Sequence, residues 1–132
     1  MDRQKESASQ TAGPYVHIGC VPNQLGIAGV YPDDLGARML HDGAEGERIT
    51  IRGIVRDGTR TPLRDALIEI WQADAAGRYP GQPGADPAFA GWGRQAADFE
   101  TGEWVFETVK PGPVPFRDGR MMAPHVTVWI VA

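Results

Sequence analysis

Glycine and proline punctuate this chain so densely, 17 and 11 of 132 residues, that long regular elements have little room to form. Proline fixes its own φ and has no N–H to donate, and glycine frees the backbone for turns. The expected product is a set of short strands joined by turns rather than a helical bundle. The length is that of one domain, large enough to hold a core without disulfide or metal staples.

Alternation locates the strands. Arg48-Ile49-Thr50-Ile51-Arg52-Gly53-Ile54-Val55 alternates polar and apolar positions, as a half-buried strand does. Asp57-Gly58 within residues 56–62 is turn chemistry of the kind that closes hairpins. Residues 66–71 form the next strand, with Glu69 on the face shared by Leu67 and Trp71. A Gly/Pro/Ala-rich loop over residues 73–93 is too long to be idle in a compact domain. Residues 104–109 are a strand. Residues 110–115 carry three prolines and cannot continue a central one. Residues 125–131 are apolar at both alternating sets, which predicts a strand in the middle of a packed sandwich.

Upstream the signal is weaker. Residues 1–8 read as a flexible tail, and residues 9–47 as an N-terminal arm and loop region. One helical turn is expected over residues 33–40, with Leu35 and Met39 four apart. Asp33-Asp34 reads as a solvated turn, and His17 and His41 as surface or loop histidines. The four tryptophans read as core or interface anchors rather than a cofactor box. The architecture is all-β: an antiparallel β-sandwich over residues 48–132 with long loops and an extended N-terminal arm. Ending on an apolar strand suggests a core truncated at its C-terminal side.

Several function classes are disfavoured. The net charge is −4 and no two Lys or Arg residues are adjacent, so the basic footprint of a nucleic-acid binder is missing. The one cysteine, Cys20, makes no internal disulfide and suits a reducing cytoplasm as a small, partly buried thiol. The polar start gives no signal peptide, and the longest apolar run is too short for a membrane-spanning helix.

One ordered set of motifs is more specific. Ile51-x-Gly53-x-Val55 is followed by Leu63, by Ile68-Glu69-Ile70-Trp71-Gln72-Ala73-Asp74 and by Gly77-Arg78-Tyr79. Then come Thr108-Val109-Lys110-Pro111-Gly112-Pro113 and Met122-Ala123-Pro124-His125-Val126-Thr127. In this order they resemble the signature of the intradiol ring-cleavage dioxygenases. The stretch Ser9-Gln10-Thr11-Ala12-Gly13-Pro14-Tyr15 is similar to the start of the alpha chains of the protocatechuate 3,4-dioxygenases within that family. One departure is Arg60, where the family has a small turn residue; Gly58 is expected to take over that job.

The resemblance implies a ferric ion held by two Tyr and two His side chains, on which a catechol acid is opened by O2 to a carboxymuconate. Fe(III) is hard and highly charged, and its charge drives the deprotonation of a Tyr whose free pKa is about 10. Of the four ligand positions, the first Tyr and first His match Tyr79 and His125. The second Tyr is replaced by Val114, the second His by Thr127, and the Arg that opens the metal motif by Met122. Tyr79 and His125 are therefore expected to be vestigial, with no metal and no catalytic residue in this chain.

Such a loss pattern resembles the non-catalytic alpha subunit, whose homologous beta subunit holds the Fe(III) cofactor. Carried over, Thr11, Gly13, Pro14 and Tyr15 would line the partner's pocket for a small aromatic substrate. A higher hetero-oligomer is implied, and the isolated chain is expected to be inactive. Two other readings stay open: a divergent, self-sufficient catechol dioxygenase with substitute ligands, and a plain β-sandwich binding module.

Overall fold

The computed structural model describes Lys5, Ala8, Gly13 and residues 15–132. The expectations for Thr11, Pro14 and most of the tail lie outside the described residues. Element order is α1 (Val16–Cys20), β1 (Arg48–Ile54), β2 (Leu67–Gln72), β3 (Trp92–Ala96), β4 (Glu103–Val109), β5 (Val114–Pro115), β6 (Met121–Met122) and β7 (Val126–Val131). Every strand pairing is antiparallel.

The strands form two main sheets, β1-β4 and β3-β2-β7, and a small hairpin, β5-β6. The core lies between the main sheets. Ile68 and Ile70 of β2 meet Phe106 and Val109 of β4, with Met39, Ala44 and Phe89 from the loops filling in. Burying an Ile or Phe side chain contributes roughly 1.5–3 kcal/mol, so this cluster is the main source of cohesion. On the other face of β2, Leu67 packs with Val21 and Ala96 beneath α1. The sheet face carrying Leu67 also holds Glu69, which accepts from Arg94 Nε at 2.6 Å across the β2–β3 register.

The sandwich and its four pattern-derived strands are present, with corrections in detail. Residues 125–131 do form a strand, but not a central one. β7 lies at the edge of its sheet, and Val128, Trp129 and Ile130 are 45%, 58% and 46% exposed. An apolar pattern on both faces does not by itself supply a covering layer: among the described residues the opposing sheet has two strands, β1 and β4.

Asp57-Gly58 does sit in a turn, but β1 and β2 do not pair with each other and belong to different sheets. The turn is closed by Asp57 N–H to the Thr61 carbonyl and by the Asp57 carboxylate, which accepts from Thr59 and Thr61. The residue there with positive φ is Arg60, at 70°, not Gly58. The expected shift of the turn onto Gly58 does not occur, because the Asp57 bonds place the fourth residue of the loop in the left-handed region.

Residues 33–40 hold a single turn, closed by Ala37 N–H to the Asp34 carbonyl, with no helix. Gly36 takes φ +81° there. Leu35 is therefore exposed while Met39 is buried. Asp34 is not solvated: it is buried, and its carboxylate accepts the Asn23 and Gln24 amides at 2.8 and 2.9 Å. Two elements had little sequence signal. Helix α1 is only five residues long, and β3, Trp-Gly-Arg-Gln-Ala, contains no β-branched residue.

Candidate functional site

Three segments far apart in sequence meet beyond the end of β2. The first is the loop after Asp74, the second the Pro111–Val114 stretch, the third the entry to β7. Asp74 organises the first. Buried at 3% exposure, it accepts through one carboxylate oxygen from the Ala76 and Arg78 amides, both at 2.9 Å, and through the other from the Asp86 amide at 2.9 Å. Its backbone carbonyl accepts from the Gly77 and Gly112 amides at 3.0 and 2.8 Å. One side chain thus folds the long loop and one carbonyl docks the proline-rich stretch against it.

Contact there is close enough to exclude a methyl group. A Cβ at Gly77, whose φ is +79°, would lie 2.0 Å from the Pro113 carbonyl oxygen. A Cβ at Gly112 would lie 2.5 Å from the Ala75 carbonyl oxygen and from the Gly77 nitrogen. Glycine at both positions lets two backbones touch. Gln72 fixes the same region from beneath. Its amide nitrogen donates to the Val109 carbonyl at 2.8 Å and its amide oxygen accepts the Thr108 hydroxyl at 2.9 Å.

This frame brings together the positions singled out in the sequence. The Tyr79 hydroxyl is 3.2 Å from His125 Nε2. The Tyr79 ring stacks on Trp71, with centroids 5.8 Å apart and planes within 1°. Thr127 lies opposite Trp71 in the β2–β7 register, and Val114 lies opposite Met122 in the small hairpin. Val114 is buried and Thr127 exposed.

Two groups of predicted residues are set apart from each other. Gly13 and Tyr15 lie before α1, in a different segment from Tyr79 and His125. Both are exposed, Tyr15 at 77%. The Gly13 carbonyl accepts from the Val16 amide at 3.1 Å and turns the arm into the helix. His41 is exposed, whereas His17 is half-buried within α1, its ring 6.1 Å from Phe99. Cys20 is a partly buried free thiol. Gln72 and Asp74 were visible only as motif letters. Their polar letters carry no sign of the bonds they make.

The donor set does not suit a ferric ion. Tyr79 and His125 supply one oxygen and one nitrogen. Val114 has no lone pair, and the Thr127 hydroxyl is a poor ligand for a hard trivalent ion at neutral pH. Among the described residues, no group of three or more His, Cys, Asp or Glu side chains is placed to hold a metal. No helix of the described residues is long and apolar enough to cross a membrane.

Comparison with known proteins identifies the frame. The model of a dioxygenase family, described as "Dioxygenase", matches residues 28–129. The chain is 42% identical over 127 residues to the protocatechuate 3,4-dioxygenase alpha chain of Pseudomonas putida, covering 96% of this chain and 63% of that one. It is 45% identical over 76 residues to the protocatechuate 3,4-dioxygenase beta chain of Burkholderia cepacia, covering 54% of this chain and 32% of that one. Among solved structures, 3-chlorocatechol 1,2-dioxygenase of Rhodococcus opacus 1CP superposes with a TM-score of 0.63 at 26% identity, over 73% of this chain and 43% of that one. The chain thus spans under two-thirds of the length of these relatives. With the family model covering most of its residues and the sandwich shared with its structural neighbours, this chain belongs to the intradiol dioxygenase family.

Proposed function

We propose that this chain is the non-catalytic, iron-free alpha-type subunit of a protocatechuate 3,4-dioxygenase-like enzyme, acting in the cytoplasm. A homologous beta-type partner holds the Fe(III) and opens a catechol acid to a carboxymuconate with O2. The observation that carries the reading is an intact family frame around a broken ligand set: Tyr79 and His125 in contact, Val114 and Thr127 where donors are needed. Identity to an alpha chain over nearly the whole of this chain supports the assignment of subunit type, and identity to a beta chain over half of it supports a homologous partner.

The N-terminal arm is the contribution to catalysis. Thr11, Gly13, Pro14 and Tyr15 line the partner's substrate pocket in this reading. Tyr15 is exposed enough to be covered by another chain. An aromatic ring and a proline offer flat apolar walls for an aromatic substrate, and the Tyr hydroxyl can meet its carboxylate. The assembly is a higher hetero-oligomer with substrate at the interface.

The test is co-expression with a beta chain such as that of Burkholderia cepacia, beside the chain alone. The chain alone is expected to purify without iron and without catechol turnover, and the complex to carry iron and turn over. Tyr15→Ala in the complex should raise KM or lower kcat while leaving iron content unchanged. Near-stoichiometric iron with tyrosinate-to-iron colour in the isolated chain refutes the reading, and loss of iron in the Tyr15→Ala complex refutes the placement of the arm.

A further inference from the structure

The two surviving ligand-type residues are spending their hydrogen bonds on each other, and the direction of those bonds can be derived. His125 Nδ1 lies 2.8 Å from the Ala123 carbonyl oxygen. A carbonyl only accepts, so Nδ1 carries the hydrogen. In the neutral ring Nε2 is then a bare lone pair. The group facing it at 3.2 Å is the Tyr79 hydroxyl, which therefore donates and remains a phenol.

The pair also has a place where a structural bond is useful. Residues 123–125 connect β6 to β7, and Pro124 has no N–H to give. The Ala123 carbonyl finds its donor in the His125 ring. Across the contact, Tyr79 is anchored by its backbone amide to Gln82 Oε1 at 2.8 Å and by its ring on Trp71. We infer that Tyr79 and His125 form a neutral clamp that pins the β6–β7 connection to the long loop after β2, a structural use of residues that elsewhere in the family face the metal. This rests on the iron-free reading and adds a role to it.

The experiment has two arms on the 132-residue chain. In the first, Tyr79→Phe, His125→Gln and the double variant are compared by thermal unfolding, and the His125 tautomer is read from ring 15N shifts. Tyr79→Phe keeps the stack on Trp71 and removes only the hydroxyl. Each single variant should melt roughly 3 °C lower, the shift expected for loss of one ordinary hydrogen bond in a chain of this length. The double variant should melt no lower than the worse single one. The ring should be protonated at Nδ1. In the second arm, Fe(III)-nitrilotriacetate is titrated into the wild-type chain and tyrosinate-to-iron absorbance is followed. Coupled variants, an Nδ1–H ring and no colour support the clamp. Additive shifts or an Nε2–H ring, still without colour, overturn the clamp alone and leave the subunit reading standing. Colour at one iron per chain overturns both. Where a variant fails to fold, the wild-type tautomer and titration decide.

Discussion

The Thr108 hydroxyl donates to the Gln72 side-chain oxygen at 2.9 Å, and that bond crosses from β4 of one sheet to β2 of the other. Both residues are fully buried. Gln72 also donates to the Val109 carbonyl, so one amide satisfies a donor and an acceptor of the facing sheet. Polar groups in a core are tolerated only when paired in this way.

Gln72→Leu should therefore destabilise although Leu is apolar and of similar size. It leaves the Thr108 hydroxyl and the Val109 carbonyl without their partner, at about 1–3 kcal/mol per buried group. Gln72→Glu should do no better: a carboxylate accepts from Thr108 but cannot donate to a carbonyl. Denaturant midpoints at unchanged m-value would measure both. Unaltered midpoints would show that the amide does not join the sheets.

Gly77→Ala should separate the long loop from the Pro111–Val114 stretch. The added carbon would meet the Pro113 carbonyl at 2.0 Å, and the backbone there has φ +79°. Left-handed backbone alone costs a non-glycine residue roughly 1–2 kcal/mol, and the overlap adds to it. A loss of at least about 2 kcal/mol is expected, together with a change in the His125 Nε2 15N shift as the Tyr79 hydroxyl moves off it. Gly43→Ala, at a similar φ of +91° but in open space, is the control and should cost only the backbone part.

Four strands are legible in the sequence: β1 by strict alternation, and β2, β4 and β7 as short runs rich in β-branched and aromatic residues bounded by turn residues. It did not reveal β3, where Trp92 to Ala96 earn their place by pairing with β2 rather than by propensity. It misplaced β7, because an apolar strand looks the same whether or not another layer covers it. At the site, ordered motifs announced which segments matter, and the contact between Tyr79 and His125 follows the family frame. The supporting work of Asp74 and Gln72 was not legible, since a polar letter does not say what it will bond to. Asp34 shows the same limit, having looked like a solvated turn while its carboxylate was binding two amides.

Arg60→Gly should stabilise the chain. Arg60 has φ +70°, where a side chain clashes with its own backbone and glycine does not. Its carbonyl accepts from Arg56 Nη1 and its amide donates to Asp57, and both bonds are to backbone atoms that glycine retains. The extra freedom of glycine in the unfolded chain offsets part of the gain, leaving about 0.5–1 kcal/mol. A melting temperature at or below that of wild type would show that the Arg60 side chain contributes more than its strain costs.

Acid should weaken the fold through its turn aspartates. Three N–H and O–H donors hold the Asp98 carboxyl below the usual carboxylate range: first the Thr101 amide, then the Thr101 hydroxyl, then the Glu100 amide. Asp57 is lowered chiefly by the Thr59 hydroxyl and the Thr61 amide, and Asp86 chiefly by the Glu45 and Ala88 amides. In each case the folded chain holds its proton less tightly than the unfolded chain. The unfolded state therefore takes up more protons in acid, and stability falls as pH falls. The contribution is complete above the ordinary aspartate value of about 4 and is lost as pH drops through it towards the lower folded-state values. Urea midpoints from these groups should thus be level from about pH 5 upward and decline below about pH 4. Asp98→Asn should be less stable at pH 7, because an amide oxygen is a weaker acceptor for three donors, and its midpoint should decline less steeply in acid. A variant whose acid decline matches wild type would show that the Thr101 and Glu100 bonds do not hold the Asp98 charge.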